Sequence, residues 1–529
     1  MLLAQTTSSA ASSEPLAWSD LLLLAPELIL AVCACAALVV EVVLPLRRSR
    51  LVARFALASV VLAAVSLAVM WQTNRMLLPL IGFYGMVRID GFALFLKSIF
   101  LIAAALSILI SMRYTDIEEE QHGEYYALLL FATIGMMLLA CGYDLIALYV
   151  SLELMAVTFY VLVGFTKRER RANEAAMKYF LLGAFSSGVL LYGMSLLYGV
   201  AGSTNLGDIA QSVHASLTIQ TEMTGTTSTA ATTLIPLRPL LLLGMIALAA
   251  GLFFKVSAVP FHLWAPDVYE GAPTPITAFL STGSKIASFA LFVRIFAEAL
   301  GGMRIDWSPL LGIVAAITIF VGNLAAVTQS NAKRLLAFSS ISNAGYLLLG
   351  LVAGNSYGYT GLLVYALVYT LMNMGAFGVL IALRRGEFAG NRVDDLAGLA
   401  QKAPGVAAMM AIFMLSLGGL PLTGGFIGKY FLFGGLLQRG ASENRAWYYW
   451  LAGWAIINTV VSFYYYARFL RQMYLSEGRA DEQPLALPFT LRTALIVATT
   501  GIVLLGVYPQ PFIALAQNAI APLIATVLR

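Results

Sequence analysis

The chain is a succession of apolar runs, each long enough to cross a lipid bilayer and separated from the next by a short polar loop. They fall at about 20–45, 51–72, 91–112, 124–141, 143–165, 174–200, 237–266, 274–300, 307–329, 333–354, 358–384, 403–437, 447–475 and 488–508. At roughly 20 residues per crossing these make about fourteen transmembrane helices. A run of that length in hydrocarbon must satisfy its own backbone, which only a helix does. The expected fold is therefore an all-α polytopic membrane protein, a single integral membrane domain over residues 1–529. Composition agrees: 11% of the 529 residues are charged, against about 25% in a soluble globule. The tail Pro509–Arg529 is apolar but short, and is expected to form a half-span or an interfacial helix. Met1–Asp20 is polar, lacks the roughly 7–15-residue apolar stretch of a cleaved signal, and reads as a short exposed segment.

Basic residues set the orientation. Odd-numbered loops carry Arg47, Arg48, Arg50, Lys167, Arg168, Arg334, Arg384 and Arg468, whereas even-numbered loops carry few. Both termini are thus expected on the non-cytoplasmic side. The net charge of +5 is dispersed over these loops, so it implies no nucleic-acid partner; the surroundings are membrane lipid. The Ser/Thr-rich segment 202–236 is expected to be a mobile external loop. Cys33, Cys35 and Cys141 fall in apolar spans without metal-ligand spacing and read as small packing residues. No soluble domain offers a place for a nucleotide, flavin or metal.

The segment Gly251–Arg294 carries the chemistry. Lys255 and Lys285 lie inside apolar spans, where each charge costs at least about 2.5–3.5 kcal/mol. Pro260 and His262 interrupt the first of those spans. Proline removes a backbone donor and collides with the carbonyl one turn back, which hydrocarbon tolerates only if the opened backbone lines a cavity or meets a partner. His262 reads either as a cap for that backbone or as a relay member. A second break follows at GGLPLTGGFIGKY, where Pro421 and its flanking glycines precede a buried Lys429. This is no phosphate loop, which needs Gly where Thr423 stands and Ser or Thr where Tyr430 stands.

Charge and break come in opposite order at the two sites, five spans apart. That is expected of two five-helix repeats, 124–300 and 307–475, inverted about an axis in the membrane plane. Glu153, about ten residues into its span, completes the set, with Lys255 and Lys285 as its expected partners. Burial favours the neutral forms of such groups and pairing the charged ones, so small changes move protons on or off. Lys97 and Lys178 are expected to snorkel to the interface, and Glu27, Glu41, Asp90 and Asp144 to lie near it. Asn323, Gln329, Asn331, Asn343 and Asn373 are expected to bridge helices or hold water, and His214 to be solvated.

The stretches KVSAVPFHLWAPDVYEGAPTPITAFLSTGSKIA (255–287), NEAAMKYFLLGAFSSG (173–188), NAKRLLAFSSISNAGY (331–346) and GLPLTGGFIGKYFLF (419–433) closely resemble the antiporter-like subunits of proton-pumping NADH:quinone oxidoreductase, respiratory complex I. The resemblance runs from about Leu21 to Leu505. It is greatest to the N branch: no long lateral C-terminal helix follows, as in L, and position 429 is Lys, not the Glu of M. It implies a bacterial inner-membrane location and proton translocation along Glu153 on the fifth helix, Lys255 on the broken seventh, Lys285 on the eighth and Lys429 on the broken twelfth. It also implies no cofactor on this chain, with FMN, iron–sulfur clusters and quinone held by partner subunits of the membrane arm and the hydrophilic redox arm. Asn343 departs from the pattern, since many relatives place histidine there. The same segments are similar to subunits of multisubunit cation/proton antiporters and ion-pumping hydrogenases, which leaves a transporter component as the alternative.

Overall fold

The computed structural model describes residues 18–43, 49–73, 79–117, 123–223, 237–384, 390–477, 485 and 487–527. Helices α1 (Ala25–Val43) and α2 (Ser49–Thr73) lead through a hairpin of β1 (Leu80–Gly82) and β2 (Val87–Ile89) to α3 (Gly91–Ile117), α4 (Gly123–Cys141), α5 (Leu145–Val163) and α6 (Arg170–Ala201). After α7 (Leu206–Met223) come the two halves of a broken rod, α8 (Leu237–Val256) and α9 (Trp264–Gly271). Then follow α10 (Thr274–Ala299), α11 (Arg304–Val327), α12 (Ala332–Ala353) and α13 (Ser356–Leu383). A second broken rod, α14 (Pro404–Gly418) and α15 (Gly424–Glu443), precedes α16 (Trp447–Leu475), α17 (Phe489–Val507) and α18 (Gln510–Val527). Among the described residues, 12 helices are long and apolar enough to cross a membrane. Every apolar run read from the sequence coincides with a helix or a broken pair, so the chain is a multi-pass membrane protein.

Helix α10 is the axis of the bundle and is buried along its whole length; α12 and α13 are almost as enclosed. Close approach depends on missing side chains, the usual device where apolar burial gives no preference for one helix over lipid. A Cβ on Gly322 of α11 would sit 2.7 Å from the Ser342 amide of α12, and one on Gly193 of α6 would sit 2.8 Å from the Leu248 amide of α8. Both breaks end their helices cleanly. The Phe254 carbonyl freed at the first accepts a bond from the Trp264 indole at 3.0 Å, and the Val259 amide donates to the Thr318 hydroxyl at 3.0 Å. At the second, Gly419 takes a left-handed conformation (φ +79°) that favours glycine.

Several expectations are corrected. Segment 202–236 is not all loop: Leu206–Met223 is helical, held against the end of α10, while 224–236, like Met1–Ala17, Arg47 and Arg48, lies outside the described residues. The C-terminal tail is helix α18, which packs between α3 and α13. Lys97 does not snorkel; it is fully buried, 2.6 Å from an equally enclosed Glu27. Asp90 is no interfacial carboxylate but part of a buried network in which Arg294 bonds both its oxygens at 2.9 Å and Glu298 at 2.7 Å, and Arg88 reaches Glu298 at 3.0 Å. Lys178 stays partly exposed, paired with Glu174 and Asp267. Cys141 is buried, whereas Cys35 faces outward, and His214 is exposed on α7.

Candidate proton path through the buried lysines

Three lysines are held inside the bundle without a carboxylate in contact. Lys255 occupies the last turn of α8, immediately before the break, and its ammonium donates to the Ser187 hydroxyl of α6 at 2.9 Å. The direct Glu153–Lys255 pair expected from the sequence is not formed. Glu153, on α5, is near enough to act on the Lys255 charge, but its buried Oε1 receives no hydrogen bond from the protein. The serine hydroxyl one helix away has taken the carboxylate's place as the lysine's partner. His262 lies in the break, buried, with Nδ1 unbonded; no hydrogen bond joins it to either lysine.

Lys285 sits at the centre of α10, where the helix is wound wider over Leu280–Ser284, a departure common at functional sites. Its ammonium donates to the Ser340 carbonyl at 2.8 Å and to the Ser340 hydroxyl, and lies 5.8 Å from the centre of the Tyr269 ring. Lys429, in the second turn of α15, donates to the Leu417 carbonyl at 3.0 Å. That carbonyl belongs to the last turn of α14, so the ammonium meets the negative end of a half-helix. Lys255 stands in the last turn of α8, but its ammonium bonds to Ser187 of α6.

Between Lys285 and Lys429 lie hydroxyls that sequence reasoning passed over, together with Asn343, which it named. Helix α12 presents Ser339, Ser340, Asn343 and Tyr346, all buried, toward α13 and α16. Tyr369 donates to Ser340 at 2.7 Å, Tyr365 donates to the Asn343 oxygen at 2.6 Å, and Ser339 and Tyr466 share a bond at 2.5 Å. Beyond them Thr459 donates to the Tyr346 hydroxyl at 3.0 Å, and the Lys429 ammonium stands 4.7 Å over the Tyr346 ring. Polar side chains at 339, 343 and 346 recur at helical spacing on one face, a signal visible in SSISNAGY. Among the described residues no cluster of His, Cys, Asp or Glu could hold a metal ion.

Two broken rods with a lysine beside each break, and a third lysine on the buried helix α10, define an antiporter-like membrane subunit. Residues 142–444 match the family described as NADH:quinone oxidoreductase/Mrp antiporter, TM. The chain is 47% identical over 502 residues to NADH-quinone oxidoreductase subunit N 2 of Solibacter usitatus, covering 94% of this chain and 96% of that one. It is 43% identical over 496 residues to subunit N of Trichlorobacter lovleyi, covering 94% and 96%. A chain of respiratory complex I from Thermus thermophilus with bound aureothin superposes with a TM-score of 0.75 at 32% identity, over 93% of this chain and 99% of that one. A chain of the Mrp complex from Dietzia shares the fold, with a TM-score of 0.76 at 20% identity over 96% and 100%. This chain belongs to the NADH-quinone oxidoreductase subunit N family and is a membrane-arm subunit of that oxidoreductase.

Proposed function

We propose that the subunit carries protons across the bacterial inner membrane along Glu153, Lys255, Lys285 and Lys429, with His262 lining the first break. The motive force would come from NADH oxidation and quinone reduction in partner subunits that hold the FMN and iron–sulfur clusters. The observation that carries this reading is that the ammonium groups of Lys255, Lys285 and Lys429 donate hydrogen bonds only to neutral oxygens. A lysine so placed gains or loses its proton on a small change of surroundings, whereas one locked against a carboxylate does not. Lys255 would alternate between Ser187 and Glu153, its affinity for a proton rising when the carboxylate approaches. Moving one charge against 100 mV requires about 2.3 kcal/mol, which an affinity change of about fiftyfold supplies. From Lys285 the proton would pass over the hydroxyls of α12, α13 and α16 to Lys429.

In reconstituted oxidoreductase, Lys255→Ala is expected to abolish or sharply lower protons moved per electron; unchanged stoichiometry would sink the path. Purification of the tagged chain in mild detergent tests the assignment above it. Hydrophilic subunits with flavin and iron–sulfur absorbance are expected to accompany it, whereas a colourless set of small membrane subunits would indicate a cation/proton antiporter.

A further inference from the structure

At the bundle face opposite the basic loops, the ends of α11, α15 and α16 enclose a cavity of about 280 Å³ lined by Arg304, Ser308, Glu443, Arg445, Trp447 and Tyr448 among others. Its charge is unbalanced. Arg304 donates to the carbonyls of Val352, Ala353 and Gly354, and Arg439 to those of Ala353 and Gly354, so two guanidinium groups close the end of α12. Glu443 is already occupied, accepting from the Tyr448 hydroxyl at 3.0 Å and pairing with Arg439 at 3.5 Å. Arg445 approaches that carboxylate only at 4.0 Å and keeps 46% of its side chain exposed. Arg304 and Arg445 thus line the cavity with Glu443 alone against them, that glutamate is shared with Arg439, and Asp306 beside Arg304 is paired with Arg238. Helix α16 also begins here, its N-cap Ala446 offering no side-chain acceptor to the first amides, so its positive end adds to the same field.

The rim is of another kind. Ile305, in the lining, is 72% exposed, and Trp450, one helical turn beyond the lining residue Trp447, is 79% exposed, at the level where the spans end and where tryptophan marks a bilayer interface. A cationic recess bordered by an apolar and aromatic edge suits a ligand with an anionic head and a hydrocarbon tail. We propose that this cavity binds the phosphate of an anionic phospholipid, with Arg445 as the group that engages the phosphodiester and the Trp450 edge lying along its acyl chains. The site is independent of the lysine path.

Native mass spectrometry of the purified full chain, exposed in detergent to phosphatidylglycerol, phosphatidylcholine or inorganic phosphate, tests this. Phosphatidylglycerol is expected to be retained in preference to phosphatidylcholine. Arg445→Gln should lower its retention about tenfold, the effect of losing one charge-assisted contact. Arg50→Gln, at an arginine 70% exposed beside a basic loop, should leave retention unchanged. The Arg445 side chain makes no short bond within the fold, so an unaltered helical circular-dichroism spectrum is expected for the variant. Equal retention of both lipids, undiminished retention by Arg445→Gln, or displacement of the lipid by millimolar inorganic phosphate would overturn the proposal.

Discussion

A serine hydroxyl is a weaker partner for a buried ammonium than a carboxylate, and Lys255 depends on one. Ser187→Ala removes that acceptor from a charged donor, a loss of about 1.5–3 kcal/mol, and leaves Glu153 as the ammonium's alternative. The expected outcome is proton pumping slowed severalfold in reconstituted vesicles while the subunit still assembles; wild-type pumping would show that Ser187 is packing only. Asn343 poses the complementary case, because a carboxamide bonds to Tyr365 at 2.6 Å but does not itself exchange a proton at neutral pH. Tyr365→Phe is therefore expected to lower the pumping rate by about a hundredfold, the lower range for loss of a positioned proton donor. Asn343→His in the same background should restore part of it, measured by dye quenching in vesicles. The lysines were legible because a charge in an apolar run is costly and conspicuous. Ser340, Tyr365, Tyr369 and Tyr466 were not, since serine and tyrosine are cheap in a helix that apolar residues dominate. Arg294 and Glu298 escaped for a different reason: four residues apart on α10, they neutralise each other locally and read as the end of a span.

At the scale of elements, the breaks are what bring polar backbone to the lysines. Gly425 shows how tightly the second is closed, since a Cβ there would fall on the Ser416 carbonyl. Gly425→Ala is expected to destabilise the subunit by about 1–3 kcal/mol through overpacking, read as a lower unfolding temperature of the detergent-solubilised chain. Helix α9 is fixed from outside by Asp267, bonded to Lys178 at 2.9 Å and to Arg334 at 2.9 Å. Burial raises the affinity of that carboxyl for a proton, but the hydrogen bonds from Lys178 and Arg334 outweigh it and hold its pKa below the usual value. A depressed carboxyl stabilises the fold above its unfolded pKa of about 3.9 and loses that contribution as pH falls through the lower folded value. The unfolding temperature should thus drop between about pH 5 and about pH 3, and less steeply in Asp267→Asn. Pro260 and Pro421 with its glycines made both breaks readable in advance, because these residues alter the backbone itself. Helix α7 was hidden because its Ser and Thr content matches a loop; it is stabilised by what it packs on.

For the whole molecule, the buried charges Arg88, Asp90, Arg294 and Glu298 tie the β-hairpin and α3 to the far end of α10. Arg294→Leu leaves Arg88 as the single cation beside two enclosed carboxylates, one negative charge in excess, and breaking a buried pair in this way costs about 3–5 kcal/mol. The variant is expected to be depleted from membranes, as judged by immunoblotting against wild type; normal abundance would show that the carboxylates become protonated at little cost. The apolar helices and their approximate limits were legible because a bilayer sets their length, although 12 described helices rather than about fourteen are long and apolar enough to cross. Their order around α10 was not, since lipid-facing and protein-facing helices are almost equally apolar.

One packing contact bears on how such a chain is made. Gly91 opens α3, and a Cβ there would sit 2.6 Å from the Ala519 backbone of α18, so a helix inserted early has its groove filled by one synthesised more than four hundred residues later. Until translation reaches that point, α3 must wait in the membrane with one flank covered by lipid or by an insertion factor. A ribosome that stalls or terminates before residue 510 leaves a bundle that holds Lys255, Lys285 and Lys429 yet lacks its closing helix.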